Sequence, residues 1–410
     1  MSNVALRLAW RNLWRYKRRT WLTVGAMVFS NSLLVFSISL QFGSYDMMIN
    51  NTLQAFSGHI QVQHEGYLDD PKMRYALDDV GAIAAQLRNE LELQNISARV
   101  AGFALASSLD RSYGLQILGV EPTFEPLVST IPGLVKQGRY LQKDSDEEIV
   151  IGSVLARNLK VGLGDEITFL GSGFDDSFAA GVVKVVGIFE TGLPDLDRSM
   201  AQISLSYFQD AFAMQKRGHS IAIRANHIDE TYQLQQRIKT LLANQQGLVV
   251  LDWEALQPGL KQAIQADMTS AWFMYIVLIV LVAFSVLNTQ LMSVLERTRE
   301  FGTMMALGLN PGNLSRLVMT ETLMMSCLGL VLGVFIGFLI TWYLSIAGFS
   351  YPGMEEMAVK FNLPDRMYPS ITFLSLMLGP GIVAIGSLLA AIYPALRLYM
   401  LLPIEAMRAA

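Results

Sequence analysis

The apolar positions of this 410-residue chain fall into two regimes. Residues 20–45, 268–295, 322–354 and 367–396 form windows of 26, 28, 33 and 30 residues without a single charge. A helix rises 1.5 Å per residue, so about 20 apolar residues cross a hydrocarbon core, and each window predicts a transmembrane helix. Between the first two windows the apolar residues come in short runs instead. Segments 59–64 (HIQVQH), 113–120, 148–151, 166–170, 182–189, 201–205, 220–224 and 248–251 predict strands, several by alternation. Helical spacing lies between them at 80–93, 153–159, 207–214 and 230–243. Gly and Asp clusters at 171–181 and 191–198 predict turns or exposed loops. The expected fold class is an α-helical membrane protein with four transmembrane helices plus an α+β domain. Helical patterning continues past the window edges at 45–53 and 256–268, so the first two spans are expected to emerge as stalks.

Charge gives this pattern an orientation. Residues 1–45 carry six cations (Arg7, Arg11, Arg15, Lys17, Arg18, Arg19) and no acid, whereas residues 46–267 hold 46 of the 66 charges and sum to −10. Short basic flanks stay cytoplasmic, so both termini are expected inside and the acidic block outside. The expected boundaries are 1–45 for a basic helix and the first span, 46–267 for the external domain, and 268–295 for the second span. Residues 296–316 form a cytoplasmic segment, 317–347 the third span, 348–366 an external loop carrying Glu355, Glu356, Lys360 and Asp365, 367–396 the fourth span and 397–410 a tail. A cleavable signal peptide is the competing reading of the first window, but the apolar stretch is too long and no A-x-A pattern follows it. The single cysteine, Cys327, lies inside the third span, so no disulfide can form within the chain. With a net charge of −4 the chain is no nucleic-acid binder.

Within the spans, Gly329, Gly333 and Gly337 repeat every four residues and would let another helix approach closely. Gly379, Pro380 and Gly381 predict a kink or break in the fourth span. Asn31, Gln41, Asn288, Thr289 and Gln290 are uncharged, unlike the buried ionisable groups of an ion-coupled pump. Catalytic patterns are missing as well. There is no Walker A sequence and no H-E-x-x-H. His59 and His64, five apart, would face opposite ways on a strand and read as surface histidines, with no metal site between them. Residues 218–222 (GHSIA) approximate a nucleophile elbow with the strand on the wrong side of Ser220.

The most distinctive stretch is 296–314, ERTREFGTMMALGLNPGNL. Glu296 with Arg299 and Arg297 with Glu300 favour a helix by three-residue spacing. Met304, Met305 and Leu307 add apolar surface, and Gly308, Pro311 and Gly312 turn the chain back. Such a helix suits docking into a groove on a partner; a solvated loop is the plainer alternative. The stretch resembles the E-R-x-x-E-[IF]-G-x-x-x-A-[LI]-G motif of the FtsX-like permease domain, shared by the MacB, LolC/LolE and FtsX class of ABC transporter subunits. LAWRNLWRYKRRTWLTV at 8–24 and YPALRLYMLLPIEAMRA at 393–409 are similar to the entry helix and the ending of that domain, with Leu398 where alanine is usual. EIVIGSVLARNLKVGLGDEITF at 148–169 and VVGIFETGLPDLDRSMAQISL at 185–205 resemble the periplasmic domain of the class, the latter most like the lipoprotein-releasing LolC and LolE.

This resemblance implies a bacterial inner-membrane subunit with a periplasmic domain of Porter and Sabre subdomains and a coupling helix between spans two and three. It implies that ATP and Mg are bound by a separate cytoplasmic ABC ATPase dimer, with no cofactor and no catalytic residue in this chain. A second permease subunit, identical or paralogous, would complete the assembly. The residues carried over to ATPase contact are Glu296, Arg297, Arg299, Glu300, Phe301, Gly302, Met305, Ala306, Leu307 and Gly308. Membrane lipid would enter laterally between spans one and two of the paired subunits. By position, the counterpart of the loop that hooks a soluble carrier in LolC is 171–181, with Phe174 and Phe178 as apolar contacts; the plainer reading is an exposed glycine-rich turn. Export or extraction of a lipoprotein, lipid or amphipathic substrate is the leading function. An FtsX-like device that transmits force to a periplasmic hydrolase is the second, and a membrane-anchored enzyme the third.

Overall fold

A computed structural model of the chain describes residues 2–53, 57–109, 111–142, 144, 147–225, 228–243, 245–350, 352, 354 and 366–400. Glu355, Glu356, Lys360 and Asp365 of the expected external loop, and 401–410 of the expected tail, lie outside the described residues.

The chain opens with α1 (Ser2–Arg15) and α2 (Lys17–Thr52). There follow β1 (Ile60–His64), α3 (Val80–Leu91), β2 (Ile96–Ser108), β3 (Arg111–Val120), α4 (Glu125–Val128), β4 (Val135–Gly138), β5 (Glu148–Gly152) and α5 (Ser153–Leu159). Next come β6 (Glu166–Ser172), β7 (Phe178–Phe189), α6 (Pro194–Ser199), β8 (Met200–Ser204), α7 (Leu205–Ala211), β9 (Ser220–Ile223), α8 (Thr231–Leu241), β10 (Leu248–Asp252) and α9 (Trp253–Leu256). The described chain closes with α10 (Pro258–Glu296), α11 (Thr298–Ala306), α12 (Pro311–Ala347) and α13 (Phe373–Arg397). It divides into a helical unit, the described residues of 1–45, 264–351 and 366–410, and an α+β unit, those of 46–263 and 352–365.

Four helices of the helical unit are long and apolar enough to cross a membrane: α2, α10, α12 and α13 with its 3-10 extension to Met400. α2 and α10 run past both ends of their charge-free windows because polar residues continue the helix there, whereas α13 starts only at Phe373, inside its window. Gly348 (φ +75°) ends α12 by taking a backbone conformation that L side chains resist. The glycine row of α12 packs on α2: a Cβ added at Gly329, Gly333 or Gly337 would sit 2.6, 2.5 and 2.9 Å from the Cβ atoms of Met27, Asn31 and Val35. That closeness is used, for Asn31 Nδ2 donates to the Gly329 carbonyl and Ser32 Oγ to that of Gly333, both at 3.1 Å. The expected break in the fourth span is absent. α13 runs on through Pro380, and Gly379 lies against Leu34 of α2, so packing holds the helix where local preference would interrupt it. At the far ends of α2 and α10, Tyr45 Oη donates to Asp267 Oδ2 at 2.6 Å, and Tyr275 Oη donates to Gln41 Oε1 at 2.9 Å.

The α+β unit is one sheet in the order β10-β1-β9-β2-β3-β8-β5-β7-β4, with β6 bridging β2 and β7. All eight expected strands are present; β2 and β4 join them. β2 is the organiser: its first half pairs with β9, its second half with β6, and nearly all of it with β3. Segment 191–198, expected as a loop, contains most of α6, whose Asp197 Oδ1 accepts from Thr191 N and Oγ1 at 3.0 and 2.7 Å. Arg99 and Glu125 form a fully buried pair, with Nη2 to Oε1 at 2.7 Å and Ser97 Oγ donating to the other carboxylate oxygen at 2.8 Å. The expectation that both histidines lie at the surface fails at His59. His59 precedes β1, is 1% exposed and bonds Asn50 through Nε2 at 3.0 Å. Burial pulls its imidazole down to about 4. His64 stacks on Tyr75 with ring centroids 5.4 Å apart.

Candidate functional site

The segment after α10 is anchored to the rest of the helical unit by buried side chains, Arg297 and Phe301 foremost. Arg297 N-caps α11, is almost fully buried, and donates through Nη1 to both carboxylate oxygens of Glu321 on α12 at 3.0 and 3.1 Å. Its guanidinium also lies 4.8 Å from the ring centroid of Phe301, the fully buried residue one turn into α11. Phe301 packs with Val294, Leu314, Val318, Ala395 and Leu398, so α10, α11, α12 and α13 share one cluster there. Asn12 of α1 donates to Glu321 Oε1 at 2.7 Å, which ties the basic entry helix into the same anchor.

The charge pairs are long-range ones. Arg297 does meet Glu300, at 3.3 Å, but Glu300 also pairs with Arg15 at 3.1 Å. Glu296 pairs with Arg19 at 2.9 Å instead of with Arg299. Arg19 also donates to Ser293 Oγ at 2.9 Å, and Thr23 Oγ1 to Thr289 Oγ1 at 2.9 Å, so α2 is stitched to the end of α10. The ten residues carried over from the family motif therefore separate into two sets. Arg297, Phe301 and Gly302 are buried and hold the segment in place, with Glu300 and Met305 half-buried beside them. Glu296, Arg299, Ala306, Leu307 and Gly308 are exposed, Leu307 at 79%. Gly308 (φ +94°) turns the chain after α11 so that Leu307 and Leu309 project from the tip. Glu321 and Asn12 were not foreseen; the only signal was a lone acid at the edge of an apolar window.

In the α+β unit, the segment 171–181 is a hairpin in which only 173–177 leave the strands. Phe174 is turned inward: it packs on the core, with the Arg217 guanidinium 4.9 Å from its ring centroid. Phe178 is 96% exposed. It extends an apolar sheet face that sequence did not reveal, formed with Phe103 and Leu105 on β2, Leu170 on β6 and Val182 on β7, all exposed. Leu105 and Leu170 are direct cross-strand partners. A shallow cavity of about 420 Å³ opens between Phe103, Leu105 and Leu170 on one side and Gly114 and Gln116 on the other.

Four apolar helices interrupted after the first by an α+β domain, with a short clamped helix between the second and third, define a transporter permease. Residues 20–241 match the MacB-like periplasmic core domain and residues 272–400 the FtsX-like permease C-terminal region. The chain belongs to this MacB-type, FtsX-like family of ABC transporter permeases. It is 23% identical to the lipoprotein-releasing system transmembrane protein LolC of Xylella fastidiosa, covering 73% of this chain and 74% of that one. Against LolE of Haemophilus influenzae the identity is 22%, covering 91% and 90%. Against the macrolide export ATP-binding/permease protein MacB of Bdellovibrio bacteriovorus it is 22%, covering 88% of this chain and 53% of the relative. Among solved structures, the periplasmic region of MacB from Actinobacillus actinomycetemcomitans aligns with 52% of the chain at 15% identity and a TM-score of 0.38.

Proposed function

We propose that this chain is the non-catalytic membrane subunit of an ABC transporter that converts ATP hydrolysis on a separate ATPase into motion of its α+β unit. The observation that carries this reading is the division of the coupling segment into a buried anchor (Arg297, Phe301) and an exposed tip (Arg299, Ala306, Leu307). A partner that pushed on a floppy loop would move only the loop. A partner that pushes on α11 moves α10, α12 and α13 with it, because they share the Phe301 cluster. The six cations of α1 and the first turn of α2 support an inside location for both termini and for α11. The likeness to LolC over 73% of the chain and to LolE over 91% of it supports a lipoprotein or another amphipathic lipid-linked molecule as substrate, taken up by a complex of two permease subunits. A periplasmic carrier or adaptor would meet the Phe103, Leu105, Leu170 and Phe178 face, with Phe178 and not Phe174 as the contact.

The test is reconstitution with the partner ATPase in proteoliposomes. Arg299→Ala with Leu307→Asp should leave the complex folded and lower substrate-stimulated ATPase turnover and substrate release together. Undiminished coupling in that double variant refutes the assignment. ATPase stimulation by a periplasmic hydrolase with no release of any lipid-linked substrate would favour force transmission without transport.

A further inference from the structure

The entry helix α1 presents three stripes around its circumference. Ala9 and Leu13 are buried, with Asn12 bonded to α12. Next to them Leu6, Trp10 and Trp14 recur every four residues and are exposed at 45, 46 and 37%. Beyond those, Arg7, Arg11 and Arg15 form an exposed cationic stripe. A helix with protein on one side, tryptophans on the next and arginines on the third matches a membrane interface, where the ring sits at headgroup depth and the cation meets phosphate. The aromatic stripe is continuous with the exposed apolar surface of α2, for Trp10, Trp14 and Trp21 run edge to face at 5.7 and 6.2 Å, followed by exposed Leu22 and Phe29. The arginines are not equivalent. Arg15 is committed to Glu300 and Arg19 to Glu296. Arg7 and Arg11 face no carboxylate among the described residues. Between them Leu6, Trp10 and Met324 of α12 line an apolar groove of about 370 Å³.

We infer that Arg7 and Arg11 form a binding site for the headgroup phosphate of an anionic phospholipid, whose glycerol and upper acyl chain lie in the groove between Trp10 and Met324. The two guanidiniums sit one turn apart on one side of the helix, which suits two-point contact with a phosphate. The occupant comes from the leaflet that bathes the start of α2, as the unbroken tryptophan row requires. Because α1 also reaches the Arg297–Glu321 anchor through Asn12, a lipid held here stiffens the helix that braces α11.

The full-length chain, with Trp253, Trp272 and Trp342 replaced by Phe so that only Trp10, Trp14 and Trp21 report, is reconstituted in phosphatidylcholine vesicles. Brominated phosphatidylglycerol or brominated phosphatidylcholine is titrated in over the same range of mole fractions and tryptophan quenching is followed. Phosphatidylglycerol should quench at the lower mole fraction. Arg7→Gln with Arg11→Gln should cut that preference by roughly fivefold per arginine, while Arg7→Lys with Arg11→Lys keeps most of it. Equal quenching by the two lipids overturns the inference. So does a preference that survives the glutamine double variant, including the case in which that variant loses ATPase binding instead. Inorganic phosphate that abolishes the preference at matched ionic strength also overturns it, as it would identify a soluble-phosphate site.

Discussion

Removing Arg297 should release α11 from the helical unit without unfolding the rest of it. The magnitude follows from what the side chain touches. Arg297 and Glu321 have side chains only 4 and 6% exposed, and their charge-assisted bonds at 3.0 and 3.1 Å satisfy both carboxylate oxygens. Breaking such a pair from one side costs about 3–5 kcal/mol, mostly because the partner charge is left buried. Asn12 still donates to Glu321 Oε1, which puts Arg297→Met at the low end, about 3 kcal/mol. The Arg297–Glu300 contact adds nothing countable, since Glu300 is 36% exposed and screened by solvent. At about 1.4 kcal/mol per decade, 3 kcal/mol is roughly a hundredfold. Hydrogen–deuterium exchange on the full-length protein reads this directly: amides of α11 should lose about two decades of protection in Arg297→Met while those of α3 and β2 do not change. Adding Glu321→Leu should restore much of the protection, because a well-packed apolar pair replaces the orphaned carboxylate. The reasoning fails if the single variant exchanges within threefold of wild type, or if the double variant is worse than either single one.

Acid should weaken the α+β unit through its buried histidines. Burial lowers His219 to about 4, and its geometry agrees: Nδ1 accepts from Ala101 N at 3.0 Å, leaving Nε2 to donate to the Met73 carbonyl at 3.2 Å, so a second proton has no place. The unfolded chain takes up protons from about 6.5 downward. Stability is thus complete above that pH, and about 3 kcal/mol of the His219 share is lost as pH falls through 4. Denaturant midpoints between pH 7 and 4 check it, and a His219→Gln variant should show a shallower slope over that range. In the helical unit, Gly333→Leu should lower the melting temperature in detergent by about 1–3 kcal/mol worth of overpacking, since its Cβ would lie 2.5 Å from that of Asn31. Gly381→Ala meets open space and should be neutral or mildly stabilising; equal losses at both sites would contradict the α2–α12 contact.

What could be read from the chain, and what could not, divides along a physical line. Uninterrupted apolar runs have one stable solution in a membrane, so four spans were legible, as were strands such as β5 and β9 whose large side chains are buried. β2 was hidden because its sizes are reversed: Gly102, Ala104 and Ala106 face the core while Phe103 and Leu105 face out. The core can accept that only because Phe208 and Phe212 fill the space, with Phe208 Cζ 2.9 Å from where a Gly102 Cβ would be. No local pattern announces a residue made small by a neighbour a hundred positions away. β4 was missed for a different reason, being four residues long with Lys136 and Gln137 exposed.

The coupling segment teaches the same lesson with a functional consequence. A motif read along the chain weights its residues equally, and three-residue spacing suggested that its charges paired among themselves. The folded unit spends them differently: Glu296 on Arg19, Glu300 shared between Arg15 and Arg297, and Arg297 on Glu321. On the proposed function, substituting Gly302 or Phe301 would damage coupling by loosening α11, whereas substituting Arg299 or Leu307 would damage it by removing the surface offered to the ATPase. The two failures differ in observable ways. Loss of the anchor raises exchange in α11 with or without an ATPase present. Loss of the tip leaves exchange at wild-type levels in the free subunit and removes only the protection that ATPase binding adds. A motif residue that behaved in the opposite way, Leu307 loosening the helix or Arg297 sparing it, would mean that the buried ion pair does not brace this segment.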